Sequence, residues 1–198
     1  MILVRSSEPI VDLRRRKLLG WLAAGPAVLA LGMREQAVAA AAPGMPDLLA
    51  PRTLGMVNTH TGERLQVRYF EAGQYVPAAM DRLNHLLRDH RSGESAAIDP
   101  RLFDQLHALA RCAECEPHFE IISGYRSPAS NAKLQAKSKG VATNSLHMQG
   151  RAIDVRLSGT RCSNLRDLAL AMQSGGVGYY AKSDFVHLDT GRFRTWAG

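Results

Sequence analysis

The sequence predicts an α+β domain, a small and mainly antiparallel sheet with helices packed on it. Two observations carry this. Short runs with strand patterning are scattered along the chain with helix-spaced runs between them, and they do not alternate as regular βαβ units would. The 198 residues, 45 % of them hydrophobic, suffice for one domain with a real core.

The elements follow in order. LGMVNTH and RLQVRYF read as two strands joined by TGE, a hairpin. Residues 77–90 place Met80, Leu83, Leu86 and Leu87 at helix spacing, with Pro77 in the first turn. Asp99 can cap a second helix over residues 100–115, whose Leu102, Leu106, Leu109 and Ala110 share a face. HFEIIS reads as a strand. Ser127-Pro128 opens a helix by cap and first-turn proline, and Gly140 is expected to end it. AIDVRL is a short strand. NLRDLALAMQSGG is a helix closed by its glycines, and VGYY and FVHLD pair as strands across AKS.

The first residues differ from the rest. A basic start, an apolar run from Leu18 to Leu31 and the segment AVAAAA have the layout of a secretory signal. The run is too short and too rich in Gly and Ala for a membrane span. Arg15-Arg16-Lys17-Leu18-Leu19 fits a twin-arginine leader. The expected organisation is a leader over residues 1–39, a Pro/Ala linker over 40–53 and a domain over 54–198. An uncleaved leader would be the sole membrane attachment. The leader holds six of the 25 Lys and Arg and three of the 18 Asp and Glu, so the formal charge falls from +7 to +4 without it. That modest value gives no case for nucleic acid and is compatible with an anionic wall polymer. Cys112, Cys115 and Cys162 are an odd set for an exported chain. CAEC lacks a second pair for a zinc knuckle, so buried small residues are expected there.

The chemistry gathers in SLHMQGRAIDV and DFVHLD. Gly150 argues against one helix carrying both His147 and Asp154, so His147 is placed in a loop and Asp154 on a strand. On that strand Asp154 points away from Ile153 and Val155. A lone carboxylate is expensive to bury, so it calls for a partner or a metal. In FVHLD, Phe185, His187 and Asp189 share one face. His147, Asp154 and His187 suit one zinc ion, whose tetrahedral geometry leaves a fourth position for water. Iron(II) would accept the same donors, but this set of three holds no close His-x-carboxylate pair of the kind such sites use. Asp184, before the last histidine, could take a proton from that water, or could be a solvated turn residue. Arg126, in ISGYRSP, could grip a carboxylate or steady an oxyanion. Its charge opposes the dipole of the helix that follows, which favours a specific task. His60, His85, His90, His107 and His118 read as structural or surface residues.

SGYRSPASNAKLQ, SLHMQGRAIDVRL, GGVGYY and DFVHLDTGRFRTW together resemble the YcbK-type murein endopeptidases, a group within the hedgehog-like D-Ala-D-Ala peptidase clan. The resemblance covers about residues 54–196. It implies a periplasmic zinc peptidase of the hedgehog/D,D-peptidase fold that cuts peptidoglycan stem-peptide cross-links. It implies His147, Asp154 and His187 as ligands, Arg126 as a substrate or transition-state contact, and Ser145 as the motif serine that helps orient the site. The base is Asp184 in the pattern of many relatives. Asp189 is its rival, as base or as the partner of an imidazole. Two other readings stay open: a carboxypeptidase that trims terminal D-amino acids, and a zinc-bearing wall-binding module without catalysis.

Overall fold

The computed structural model describes residues 49–198 except 139. The leader expected over residues 1–39 lies outside the described residues, as does most of the linker. The linker's last residues, Arg52 and Thr53, already belong to the first strand. Among the described residues no helix is long and apolar enough to cross a membrane.

The chain runs β1 (Arg52–Asn58), β2 (Arg64–Glu71), β3 (Gln74–Tyr75), α1 (Pro77–Leu86), α2 (Pro100–Cys112), β4 (His118–Ser123) and α3 (Pro128–Lys137). A single 3-10 turn (Leu146–Gln149) follows, then β5 (Ala152–Leu157), α4 (Cys162–Met172), β6 (Gly176–Tyr180), β7 (Phe185–Asp189) and β8 (Arg194–Ala197). The strands form one eight-stranded sheet of order β3-β2-β1-β4-β5-β7-β6-β8. Neighbours are antiparallel except at β1–β4 and β6–β8, which are parallel. The class is therefore α+β with a mainly antiparallel sheet.

One sheet face carries the core. Leu54 and Met56 of β1, Phe119 and Ile121 of β4, Ile153, Val155 and Leu157 of β5, and Val186 and Leu188 of β7 are buried. They pack in one cluster with Leu83 and Leu86 of α1, Leu102, Leu106 and Leu109 of α2, and Leu165 of α4. Strand alternation then turns Asp154 and His187 to the other face. They stand directly opposite each other in the β5–β7 register.

Several boundaries depart from expectation for local reasons. α1 stops at Leu86 instead of reaching His90, because buried Asp89 bonds to the Arg91 and Ser127 N–H groups rather than joining a helix. α2 ends at Cys112, so Cys115 lies beyond it. α3 ends at Lys137, where Ser138 turns extended, and Gly140 is not its cap. At the end of α4 the left-handed cap is Gln173 at φ 51°, not a glycine. β3 and β8 have no counterpart among the expected strands. Cys112 is exposed and Cys115 half-buried, against the expectation of buried small residues, and all three cysteines are free thiols.

Candidate metal centre

His147 sits in the 3-10 turn that Ser145 precedes and Gly150 closes. Gly150 has φ 65°, and a side chain there would run into the Ala97 carbonyl. A glycine therefore lets the turn pass close to residues 97–98 and fixes where His147 points. The His147 Nδ1 lies 2.7 Å from the Gly124 carbonyl oxygen. A carbonyl only accepts, so Nδ1 carries the hydrogen and Nε2 presents a lone pair. On β7, His187 Nε2 lies 3.2 Å from Asp189 Oδ2. By the same reasoning that nitrogen is protonated, and Nδ1 presents the free lone pair in the neutral ring.

The free atoms converge. His147 Nε2 is 3.2 Å from His187 Nδ1, His187 Nδ1 is 2.8 Å from Asp154 Oδ1, and His147 Nε2 is 3.4 Å from that same oxygen. A tetrahedral ion with bonds near 2.05 Å sets its ligand atoms about 3.3 Å apart. Three acceptors that face one another in a buried setting repel unless a cation or proton lies between them. Their spacing and chemistry fit a metal ion, and among the described residues this is the one His/Asp cluster of that kind.

The electrostatics agree. Burial raises the pKa of Asp154, but His147 and His187 outweigh it and hold the group below the carboxylate range. Burial lowers the pKa of His187, yet its bonds to Asp154 and Asp189 raise it above the ordinary histidine value. Asp189 is fully buried, and its oxygens accept from Gly176 N–H, Gly191 N–H and both terminal nitrogens of Arg194. Burial opposes its charge, and the His187 and Arg194 bonds more than offset this, so its pKa is lowered. Asp189 thus stands behind His187 and holds that ring from the side away from the cluster. It does not line the cleft.

The three donors open into a cleft of about 740 Å³. Arg126 and Ser145 line it, as their sequence motifs suggest. Arg126 lies with Nη2 3.9 Å from Asp154 Oδ2, and its Nε is buried without an acceptor. Burial pulls its pKa below the ordinary guanidinium value, partly countered by Asp154. The Ser145 hydroxyl does not cap the turn it precedes. Asp184 is not brought to the cleft. It occupies a left-handed turn position at φ 50° with a side chain 69 % exposed, and its carboxylate faces Arg156 at 3.9 Å. Among the described residues lining the cleft, Asp154 is the one carboxylate.

Sequence reasoning missed several cleft residues. His60 and His90, read as structural or surface residues, stack their rings at 3.8 Å, and His60 lines the cleft. Tyr180 and Phe185 stack at 4.5 Å, and the Trp196 indole N–H donates to the Tyr180 hydroxyl at 3.0 Å. Trp196 also packs 5.0 Å from the His187 ring, so an aromatic wall adjoins the His-Asp-His cluster. GYY and RTW were visible signals, but their meeting depends on the parallel β6–β8 pairing.

Comparison with known sequences agrees with this geometry. Residues 48–196 match the family described as Peptidoglycan L,D-endopeptidase MepK. Proteins of that name from Escherichia coli (strain K12) and Shigella flexneri are 42 % identical over 189 residues, spanning 93 % of this chain and 98 % of theirs. A relative from Haemophilus influenzae is 37 % identical over 95 % of this chain and 98 % of its own. A match over nearly all the described residues, around an intact His-Asp-His cluster in a cleft, shows that the chain belongs to the peptidoglycan L,D-endopeptidase MepK family of peptidases.

Proposed function

We propose that this chain is a zinc-dependent peptidoglycan endopeptidase that hydrolyses L,D-bonds in stem-peptide cross-links, the 3-3 class rather than the D,D-linked 4-3 class. The carrying observation is the convergence of three acceptor atoms within 3.4 Å of one another, each imidazole anchored from behind. Relatives named as L,D-endopeptidases support the bond type, and that shared name leaves the carboxypeptidase and the inactive wall-binding module without support.

In this reading His147 Nε2, Asp154 Oδ1 and His187 Nδ1 hold one zinc ion. The ion would supply Lewis acidity and a water acidified to a pKa of about 7. The Gly124 carbonyl and Asp189 keep both rings in the liganding tautomer, which makes Asp189 a positioning residue. Arg126 aims its charge at the carbonyl oxygen where negative charge develops. Tyr180, Phe185 and Trp196 form the apolar wall against which the substrate backbone rests. Ser145 borders the same floor as a substrate contact. Asp184 has no role in this scheme, since its carboxylate engages Arg156. Work on the wall requires export, and we infer a twin-arginine leader over residues 1–39 from Arg15-Arg16-Lys17-Leu18-Leu19.

The test is digestion of defined 3-3 and 4-3 muropeptide dimers by residues 40–198, with zinc, with a chelator and with His147→Ala. Conversion of 3-3 dimers to monomers that needs both zinc and His147 is the expected result. Loss of a terminal residue with dimers intact, or no product from zinc-loaded protein, overturns the reading.

A further inference from the structure

The proposed chemistry leaves Arg91 and the loop that carries it without a task. The loop, residues 88–95, follows α1 and is held from within. Asp89 N–H bonds to the Glu94 carbonyl at 2.8 Å, and Gly93 N–H to the Asp89 carbonyl at 2.7 Å. The buried Asp89 carboxylate divides its two oxygens. Oδ1 accepts from the Arg91 N–H at 2.9 Å, and Oδ2 accepts from the Ser127 N–H at 2.9 Å. Ser127 directly follows Arg126. One carboxylate therefore sets the backbone beside both arginines. The intervening His90 is stacked on His60, whose Nε2 lies 3.0 Å from the Ile122 carbonyl oxygen at the end of the sheet. Arg91 is thus carried on a fixed backbone, and its side chain reaches the same cleft as Arg126 and His60.

The charges on this wall are only partly met: Arg126 Nη1 and Nη2 donate to Asn131 Oδ1 and Ser123 Oγ, each at 3.4 Å. Arg91 and Arg126 are close enough to oppose one another's charge. The Arg126 Nε is buried with no acceptor, and its nearest carboxylate is Asp154, 3.9 Å away and turned to the metal. Asp89 spends its oxygens on backbone N–H groups. Arg91 is exposed, and among the described residues its guanidinium has no ion-pair partner. Two like charges held on one wall, with Asp154 as the one carboxylate beside them, leave the Arg91 guanidinium open to an anion. Stem peptides carry free carboxylates on the branches of their diamino-acid and γ-linked glutamate residues, and amidation removes that charge.

We propose that Arg91, on the wall it shares with Arg126, forms a carboxylate subsite that reads a free carboxylate on the stem peptide beside the bond to be cut, as a specificity-determining residue. This rests on the peptidoglycan reading above. The planar guanidinium forks suit a carboxylate and discriminate against a neutral amide.

The test compares a cross-linked stem-peptide dimer bearing free carboxylates with the same dimer amidated. Binding to the metal-free protein is measured by calorimetry in chelator, so that nothing is cut. The free acid is expected to bind about tenfold more tightly. Arg91→Gln should remove most of that difference, and Arg91→Lys should keep part of it. Equal affinity for the two dimers, no binding of either, or a difference that survives Arg91→Gln overturns the subsite. Turnover of the same dimers with zinc separates the two claims. A difference in KM at similar kcat supports both. Selective binding without cleavage defeats the endopeptidase and leaves the subsite standing, whereas cleavage of both dimers with equal KM does the reverse.

Discussion

Asp189 and Asp184 show how two acidic residues near one histidine take different parts. Asp189 is fully buried and bonded to His187, Arg194 and two backbone N–H groups. Asp189→Asn should lower zinc affinity by roughly 10–100-fold, read by competition with a chromophoric chelator. It should also destabilise the fold by about 1–3 kcal/mol in urea, because the buried side chain loses its charge-assisted bonds to Arg194 and two backbone N–H groups. Asp184→Asn should leave kcat/KM within about twofold, since a side chain outside the cleft contributes little beyond a surface ion pair; a loss of a hundredfold or more would make Asp184 the proton acceptor. Asp154 and His187 were legible because each is a polar strand residue whose apolar neighbours point to the other face. The choice between the aspartates was not legible. Asp189 shares the His187 face by strand periodicity, but Asp184 sits in a turn, where periodicity has nothing to say.

At the scale of elements, the glycines after α4 are informative. They were expected to close the helix, but Gln173 does that. A Cβ on Gly176 would instead strike the Asp189 carboxylate and the Arg194 guanidinium. The glycine lets β6 lie against the group that supports His187. Gly176→Ala should therefore weaken zinc binding about tenfold and lower stability by about 1–3 kcal/mol, seen together in chelator competition and urea melts. The Asp89 loop gives a pH prediction. Burial, then the charges of Arg91 and Arg126 and the adjacent His60, push the His90 pKa from 6.5 down to about 4, against the opposing pull of Asp89. As pH falls the unfolded chain takes up this proton first, and the folded chain withholds it until about pH 4. The contribution of His90 is complete above the unfolded value and disappears as pH falls towards the folded one. His90→Phe, which keeps a ring against His60, should flatten the decline of the urea midpoint between pH 6.5 and 4; an unchanged slope would remove His90 as the cause. Strands with clear alternation, such as AIDVRL and HFEIIS, were read to the residue. The premature end of α1 was not, because a tertiary bond from Asp89 stops it.

At the scale of all the described residues, the core lies on one sheet face and the His-Asp-His cluster on the other, so the fold does not depend on a bound ion for its hydrophobic burial. Removing zinc should leave the secondary structure intact by circular dichroism. It should lower stability by about 2.7 kcal/mol relative to protein at a hundredfold excess of zinc over Kd, a Tm shift of several degrees restored by zinc and not by magnesium. Collapse of the far-ultraviolet spectrum in chelator would contradict this. By itself the sequence determined the α+β class, most strands and helices, and the three residues that gather into the His-Asp-His cluster, because these follow from periodicity, capping residues and the expense of an unpaired buried carboxylate. Only the tertiary structure decided what surrounds them. The β5–β7 register sets Asp154 opposite His187, the parallel β8 strand brings Trp196 and Arg194 to the site, and Asp89 ties Arg91 to Arg126 across 35 residues of chain. These are contacts between segments remote in the chain, and local propensity carries no information about which remote segment a residue will meet.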